Sequence, residues 1–154
     1  MNLPRRAFLK GVLATGGAMA FGTTVLPQAV MADWPKTAFE AKTVDEALTA
    51  LFTSPDTQKT DKITIIAPDI AENGAVVPVE VTADLSKVES IAIISEKNPV
   101  PLVAQFNFAD NAEGYVKTRI KMGGTSDIVV VVKADGKLYA ARKNVKVTVG
   151  GCGG

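Results

Sequence analysis

The sequence has no histidine at all and one cysteine in 154 residues. Without histidine there is no Ser-His-Asp or Cys-His catalytic arrangement and no imidazole metal ligand. One cysteine cannot close an intrachain disulfide or hold a Cys-cluster zinc or iron–sulfur site. An excess of either charge is lacking too: 17 Lys plus Arg stand against 16 Asp plus Glu, a formal +1. Even that excess is local. Arg5, Arg6 and Lys10 occupy a leading segment without acidic residues, and beyond Ala32 the 16 acidic side chains outnumber 14 basic ones. A near-neutral body lacks the basic stripe of a nucleic-acid binder, so no nucleic-acid partner is expected. No metal or cofactor motif is present, and none is expected to bind. The length suits one domain. What remains to carry chemistry is Cys152, in Gly150-Gly151-Cys152-Gly153-Gly154.

Residues 4–10 read Pro4-Arg5-Arg6-Ala7-Phe8-Leu9-Lys10, and a weakly apolar stretch rich in Gly, Ala and Thr runs from Gly11 to about Val30. Small residues at Ala29-Val30-Met31-Ala32 suit a signal peptidase. The arginine pair, the Phe-Leu and the lysine resemble a twin-arginine export signal, with Arg5 and Arg6 as its defining residues. The expected organisation is a signal peptide over 1–32, a folded domain over 33–149 and an arm over 150–154. The alternative is an uncleaved anchor, for which the glycines and threonines make the stretch weakly hydrophobic. After cleavage no membrane contact is expected. Signals of this kind carry proteins already folded, either with a cofactor inserted before export or with a partner that must travel along. With no cofactor motif, a co-exported partner is the expectation.

After a polar lead-in, Thr43-Val44-Asp45-Glu46 forms a capping box. Val44, Ala47, Leu48, Leu51 and Phe52 follow the spacing of one buried helical face. That predicts a helix of about ten residues, stopping near Ser54-Pro55 and lying across one end of a sheet. Everything after Asp61 reads as strand. Ile63 to Ala67, Val77 to Thr82, Leu102 to Phe108 and Tyr115 to Met122 are four such runs. Ile91 to Ile94 is short and apolar, and Asn98-Pro99 behind it marks a turn. Ile128 to Val132 is continuously apolar, as in a central strand. Asp135-Gly136 signals a hairpin into Leu138-Tyr139-Ala140, and Val145 to Val149 alternates as a last strand. Seven or so strands with turns about every ten residues predict an all-β fold. The expected form is an immunoglobulin-like antiparallel β-sandwich with a short N-terminal helix and a flexible C-terminal Gly-Cys arm. Val76, Val77, Val79 and Val81, with Ile91 to Ile94, offer more apolar side chains than one half-covered face needs. This predicts a surface buried against a partner.

The tail differs from the rest. Glycine cannot pack a side chain and costs the most backbone entropy to order. Gly150, Gly151, Gly153 and Gly154 therefore predict a mobile, slender extension. Starting from Val149, Cys152 reaches roughly 10 Å at about 3.3–3.6 Å per residue. A glycine-flanked cysteine has no core to pack into, which leaves a reactive thiol or a disulfide to another chain. A prenylation box is excluded, because the cysteine is third from the end. Arg142, Lys143 and Lys146 precede the arm. They read either as a solvated edge that discourages strand pairing or as local attraction for an anion near Cys152. Lys117, Arg119 and Lys121 carry the same two readings.

The chain resembles the SoxY family, the sulfur-carrier subunits of the periplasmic thiosulfate-oxidising Sox system. The resemblance rests on Gly150-Gly151-Cys152-Gly153-Gly154 joined to Val145-Lys146-Val147-Thr148-Val149. Arg119-Ile120-Lys121-Met122 before Thr125-Ser126-Asp127, and Asp135-Gly136-Lys137 before Tyr139, support it, as does the twin-arginine leader. The resemblance implies a carrier and not an enzyme, located in the periplasm, with Cys152 as the covalent attachment point for sulfur. It implies a heterodimer with SoxZ, which has no export signal of its own and travels along. It also implies that the haem-containing SoxAX couples thiosulfate to Cys152 as an S-thiosulfonate and that SoxB releases sulfate by hydrolysis. A sulfane dehydrogenase, where present, then oxidises the remaining persulfide sulfur. Two other classes stay in view. One is an exported structural sandwich linked to a partner through Cys152 by an intermolecular disulfide. The other is a ubiquitin-like carrier using the Gly153-Gly154 carboxylate, against which export counts, because that activation needs ATP.

Overall fold

Two short helices and nine strands make up residues 35–150, the part of the chain that the computed structural model describes. The expected signal peptide over 1–32, with Arg5 and Arg6, lies outside the described residues. So do Gly151, Cys152, Gly153 and Gly154, and with them the expected mobility of the arm.

Helix α1 (Lys36–Glu40) precedes α2 (Val44–Phe52). The start of α2 is set as its sequence dictates. The Glu46 N–H donates to Thr43 Oγ1 at 3.2 Å, and Glu46 Oε2 accepts from the Thr43 N–H at 3.2 Å and the Lys42 N–H at 3.0 Å. These bonds satisfy donors that a helix start otherwise leaves without partners. The helix ends where Thr53 turns left-handed at φ 67°, its N–H on Thr49 O. Helix α1 falls in what the sequence presents only as a polar lead-in.

The strands are β1 (Gln58–Lys59), β2 (Ile63–Ile66), β3 (Ile70–Asn73), β4 (Val77–Ala83), β5 (Val88–Ser95), β6 (Leu102–Asn107), β7 (Tyr115–Ile120), β8 (Ser126–Ala134) and β9 (Lys137–Val149). The larger sheet has the order β1-β9-β8-β5-β6, with β3 also paired to β9; the smaller has the order β2-β4-β7. The expected sandwich is what forms. Alternate residues of β4 and β7 (Val77, Val79, Val81, Val116, Ile120) meet Ile91, Ile93, Ile128, Val130 and Val132 of the larger sheet in one buried core. The hairpin at Asp135-Gly136 joins β8 to β9 as expected, with both turn residues at positive φ.

The antiparallel expectation needs one correction. β1 and β3 both pair with β9 in parallel, β1 along its start and β3 along its end. Leu138–Ala140 and Val145–Val149, expected as two strands, are parts of the single β9. The polar run Arg142-Lys143-Asn144 interrupts the apolar alternation without interrupting the ladder to β8.

The helix does not lie across a sheet end. Ala38, Ala41, Ala47 and Leu48 pack on Ala92, Ile94, Leu102, Val129 and Val131, on the face of the larger sheet turned away from the smaller one. The protein therefore has three layers, and β5 and β8 are covered on both faces. This also overturns the expected partner surface. Val77, Val79, Val81 and Ile91 to Ile94 are each at most 1% exposed, and of that set only Val76 stays open. Burying each such side chain is worth about 1.5–3 kcal/mol. The apolar surplus is thus spent inside the chain.

Candidate functional site: the root of the arm

β9 carries the chain to Gly150, and several segments converge to hold its end. The Val147 N–H donates to Thr125 Oγ1 at 2.9 Å, and that hydroxyl donates back to Val147 O at 3.3 Å. Thr125 thus continues with a side chain the β8–β9 ladder, whose last backbone pair is Ser126 with Val145. Consecutive strand N–H groups point to opposite edges, and the Lys146 N–H accordingly meets Asp69 O at 2.9 Å beside β3. There the Thr148 hydroxyl donates to Glu72 O at 2.7 Å. The Gly74 N–H donates to Val149 O at 2.8 Å, and the Met122 N–H donates to Gly74 O at 2.7 Å. The segment following β7 is thereby drawn to the same place.

Asn98 braces that segment. Its Nδ2 donates to Lys121 O at 2.8 Å, and its Oδ1 accepts from the Gly123 N–H at 2.8 Å and from the Ser95 hydroxyl at 3.2 Å. The buried Ser95 and Ser126 hydroxyls lie 3.4 Å apart. Gly150 sits against the far side of this braced segment. A Cβ added at Gly150 would stand 2.7 Å from Gly123 O, closer than real Cβ atoms approach. Gly150 therefore needs to be glycine because of a close approach, and not only for freedom of φ. The sequence reading placed Gly150 within a free arm; it is in contact with the folded body.

The basic residues divide into two groups. Arg142 pairs with Glu96 and Lys143 with Asp69. The Lys143 hydrogen bond and charge hold the Asp69 carboxyl below its usual pKa. Lys117 pairs with Glu80 at 3.0 Å, which lowers the Glu80 pKa and raises that of Lys117. Lys117 and Arg119 line an open groove of about 660 Å³ on the outer face of the smaller sheet, with Ile66, Pro68, Pro78 and Glu80. Among the described residues, Arg119, Lys121 and Lys146 have no ion-pair partner. Of the six cations given two readings, three are thus matched structurally.

Sequence reasoning missed Asn98, Gly123, Thr125 and Gly74 as parts of this arrangement. Asn98-Pro99 carried only a turn signal. Gly123-Gly124 ahead of Thr125 was the one local hint that backbones approach closely there. Among the described residues, no three His, Cys, Asp or Glu gather to hold a metal ion, and no helix is long and apolar enough to cross a membrane.

These features define a small three-layered sandwich whose last strand delivers a glycine-flanked cysteine from one braced end. The chain belongs to the SoxY family: the family described as "Sulfur oxidation protein SoxY" matches residues 48–152. No curated protein matches the chain in sequence. Among solved structures it is similar to the sulfur carrier protein SoxY from Chlorobium limicola f thiosulfatophilum. That likeness has 43% identity and a TM-score of 0.63 over 68% of this chain and 96% of the other. It is also similar to the superoxide reductase (neelaredoxin) from Ignicoccus hospitalis, at 20% identity and a TM-score of 0.51 over 57% of this chain and 81% of the other. At that identity the likeness concerns the fold alone. The role that the family supports is that of a sulfur carrier in the Sox system.

Proposed function

We propose that Cys152 is the covalent attachment point through which this carrier holds its sulfur. The observation that supports the reading most is that the family match, residues 48–152, reaches Cys152 itself. In the chemistry proposed, the Cys152 thiolate and thiosulfate lose two electrons to a haem-containing partner of the SoxAX kind. An S–S bond forms to give the S-thiosulfonate, the thiol proton having left when the thiolate formed. Water then cleaves the terminal S–S bond in a SoxB-like hydrolase, releasing sulfate and leaving a persulfide on Cys152. Where a sulfane dehydrogenase is present, the outer sulfur gives up six electrons, takes oxygen from water and leaves as sulfate in a further hydrolysis that frees the thiol.

A free cysteine with a pKa of about 8.5 is only a minor fraction thiolate at neutral pH. The activation therefore belongs to the partner sites that the arm enters. Gly150 touches the body, so the span from it to Cys152 is two residues, at most about 7 Å. That is shorter than the reach expected from Val149, and it calls for partner sites close to the sandwich surface.

The same reading assigns Arg5 and Arg6 to twin-arginine export to the periplasm, with SoxZ as the heterodimer partner carried along. An Arg5→Lys, Arg6→Lys double variant is expected to stay in the cytoplasm together with SoxZ. Fractionation that finds both in the periplasm would overturn the hitchhiking account.

The deciding measurement is mass spectrometry of the protein isolated from cells fed thiosulfate. Thiosulfonate or persulfide adducts on Cys152 are the expected result. A modified terminal carboxylate, or only an interchain disulfide, would sink the assignment.

A further inference from the structure

We propose that Asn98 is a positioning residue for the carrier arm. By bracing the Lys121–Gly123 segment it places Gly123, whose carbonyl Gly150 sits against, and so the point and direction from which the chain leaves the sandwich. The proposal rests on the carrier reading above.

Both ends of the Asn98 amide are engaged. One donates to Lys121 O and the other accepts from the Gly123 N–H, each at 2.8 Å. Only a carboxamide offers a donor and an acceptor in one rigid plane at this reach. Aspartate keeps the acceptor and loses the donor; alanine loses both. Two bonds to peptide groups on either side of Met122 fix the tilt of those peptides. The fully buried Met122 side chain fixes only their depth. The two bonds thereby place the Gly123 Cα, from which the next peptide, between Gly123 and Gly124, carries Gly123 O, the atom 2.7 Å from where a Gly150 Cβ would be. The neighbouring Gly124 has nothing within 4 Å of its own Cβ position, so the close approach is particular to Gly123 and Gly150. The brace in turn bears on the core. The Ser95 hydroxyl bonds Asn98 Oδ1, and Ser95 and Ser126 sit at the ends of β5 and β8. A rigid path thus runs from the two central strands through one side chain to the arm's first residue.

The test compares Asn98→Ala and Asn98→Asp with Gly136→Ala. The last is strained at φ 72° and lies at the opposite end of the sandwich, so it controls for general destabilisation. Two readouts are taken on the full mature chain. Amide hydrogen exchange is followed at Gly123, Gly74 and Val147. Thiosulfate-dependent mass gain at Cys152 in periplasmic extract is divided by the rate of iodoacetamide alkylation.

In Asn98→Ala, protection at Gly123 and Gly74 is expected to fall about tenfold. Val147, held by Thr125, is expected to stay protected. The loading-to-alkylation ratio is expected to fall several-fold, because the small reagent needs no particular exit direction. Asn98→Asp is expected to fall between, and it carries the test if the alanine variant does not fold. Equal loss at Gly74 in the Asn98 variants and in Gly136→Ala overturns the proposal, as does an unchanged ratio. An unsubstituted protein that alkylates but never loads overturns the carrier reading itself. The exchange data need no sulfur, and they tell that failure from a failure of the brace.

Discussion

The two ends of the sandwich are closed by different means. At the hairpin end, Lys87, Asn111, Asp135 and Gly136 all adopt positive φ. There the Lys133–Glu89 pair at 2.6 Å joins β8 to β5, the Lys87–Asp135 pair at 3.3 Å joins two turns, and the Gly136 N–H donates to Glu89 at 2.8 Å. At the arm end no described residue has positive φ, and beside the Lys143–Asp69 and Arg142–Glu96 pairs the joints at the strand end itself are neutral: an asparagine amide, a threonine hydroxyl and backbone bonds through Gly74. Among the described residues, four of the five large apolar side chains left exposed (Ile66, Ile70, Val76 and Val149) also lie toward the arm end. Each end has one glycine compelled by a close neighbour. A Cβ added at Gly114 would stand 2.8 Å from the Val88 side chain and 2.9 Å from Ala83 O, whereas one added at Gly150 would crowd only Gly123 O. The difference teaches that the hairpin end is built for closure and the arm end for presentation.

If that division holds, damage at one end should register as lost stability and damage at the other as lost loading. The largest effect is expected from Cys152→Ser, which should abolish thiosulfate-dependent mass gain while leaving the thermal midpoint in place; residual loading would break the scheme. Next comes Gly114→Ala. Its new methyl group overpacks the site against both a side chain and a carbonyl, costing about 1–3 kcal/mol in urea unfolding. Loading below the midpoint should be normal. Gly150→Ala should cost about 1 kcal/mol or less, since Gly150 lies past the end of β9 and can itself move off the Gly123 carbonyl. It should nevertheless reduce loading more than Gly114→Ala does, and the reverse order would erase the comparison.

Thr43→Ala, which belongs to neither end, should lower stability by about 1 kcal/mol through loss of the helix cap, with loading unaffected. The smallest effect concerns acid. Lys133 first, and then the Gly136 N–H, hold the Glu89 pKa below its usual value. Lys143 does the same for Asp69 toward the arm end. A depressed folded pKa gives stability that is present above the ordinary carboxylate range near pH 4 and is lost as pH falls through the folded value. Glu89→Gln and Asp69→Asn should each slightly flatten the acid limb of the stability curve. A steeper limb in either variant would contradict the sign.

The sandwich was legible because β4, β7 and the hairpin obey simple rules of alternation and turn chemistry. Val77, Val79 and Val81 alternate with Pro78, Glu80 and Thr82, and the structure buries the first set. The capping box at Thr43 located α2 for the same reason. β1 and β3 were not legible, because Gln58-Lys59 and Ile70–Asn73 have little apolar pattern of their own and become strands by pairing with β9. Ile91 to Ile94 and Ile128 to Val132 did signal two-sided burial. The second cover expected from that apolar excess was a partner, and it is instead the chain's own helices. Cys152 stood out through the absence of every rival residue. The seat of Gly150 did not, because Asn98, Gly123 and Gly150 are separated along the chain and come near one another only once β7 and β9 are in place.

The parallel pairing of β3 with the end of β9 also has a mechanical meaning. A partner that grips the arm and draws it outward along β9 pulls in the direction of the strands. The bonds from Lys146 to Asp69, Thr148 to Glu72 and Gly74 to Val149 then lie across the pull and share the load. The β8 ladder on the other edge bears it with them. Slippage requires breaking these bonds together, whereas a sideways peel would break them one at a time. The strand end is thus a tether that resists an axial tug, and on the carrier reading proposed above an enzyme drawing on Cys152 would load these bonds in shear and not peel them apart.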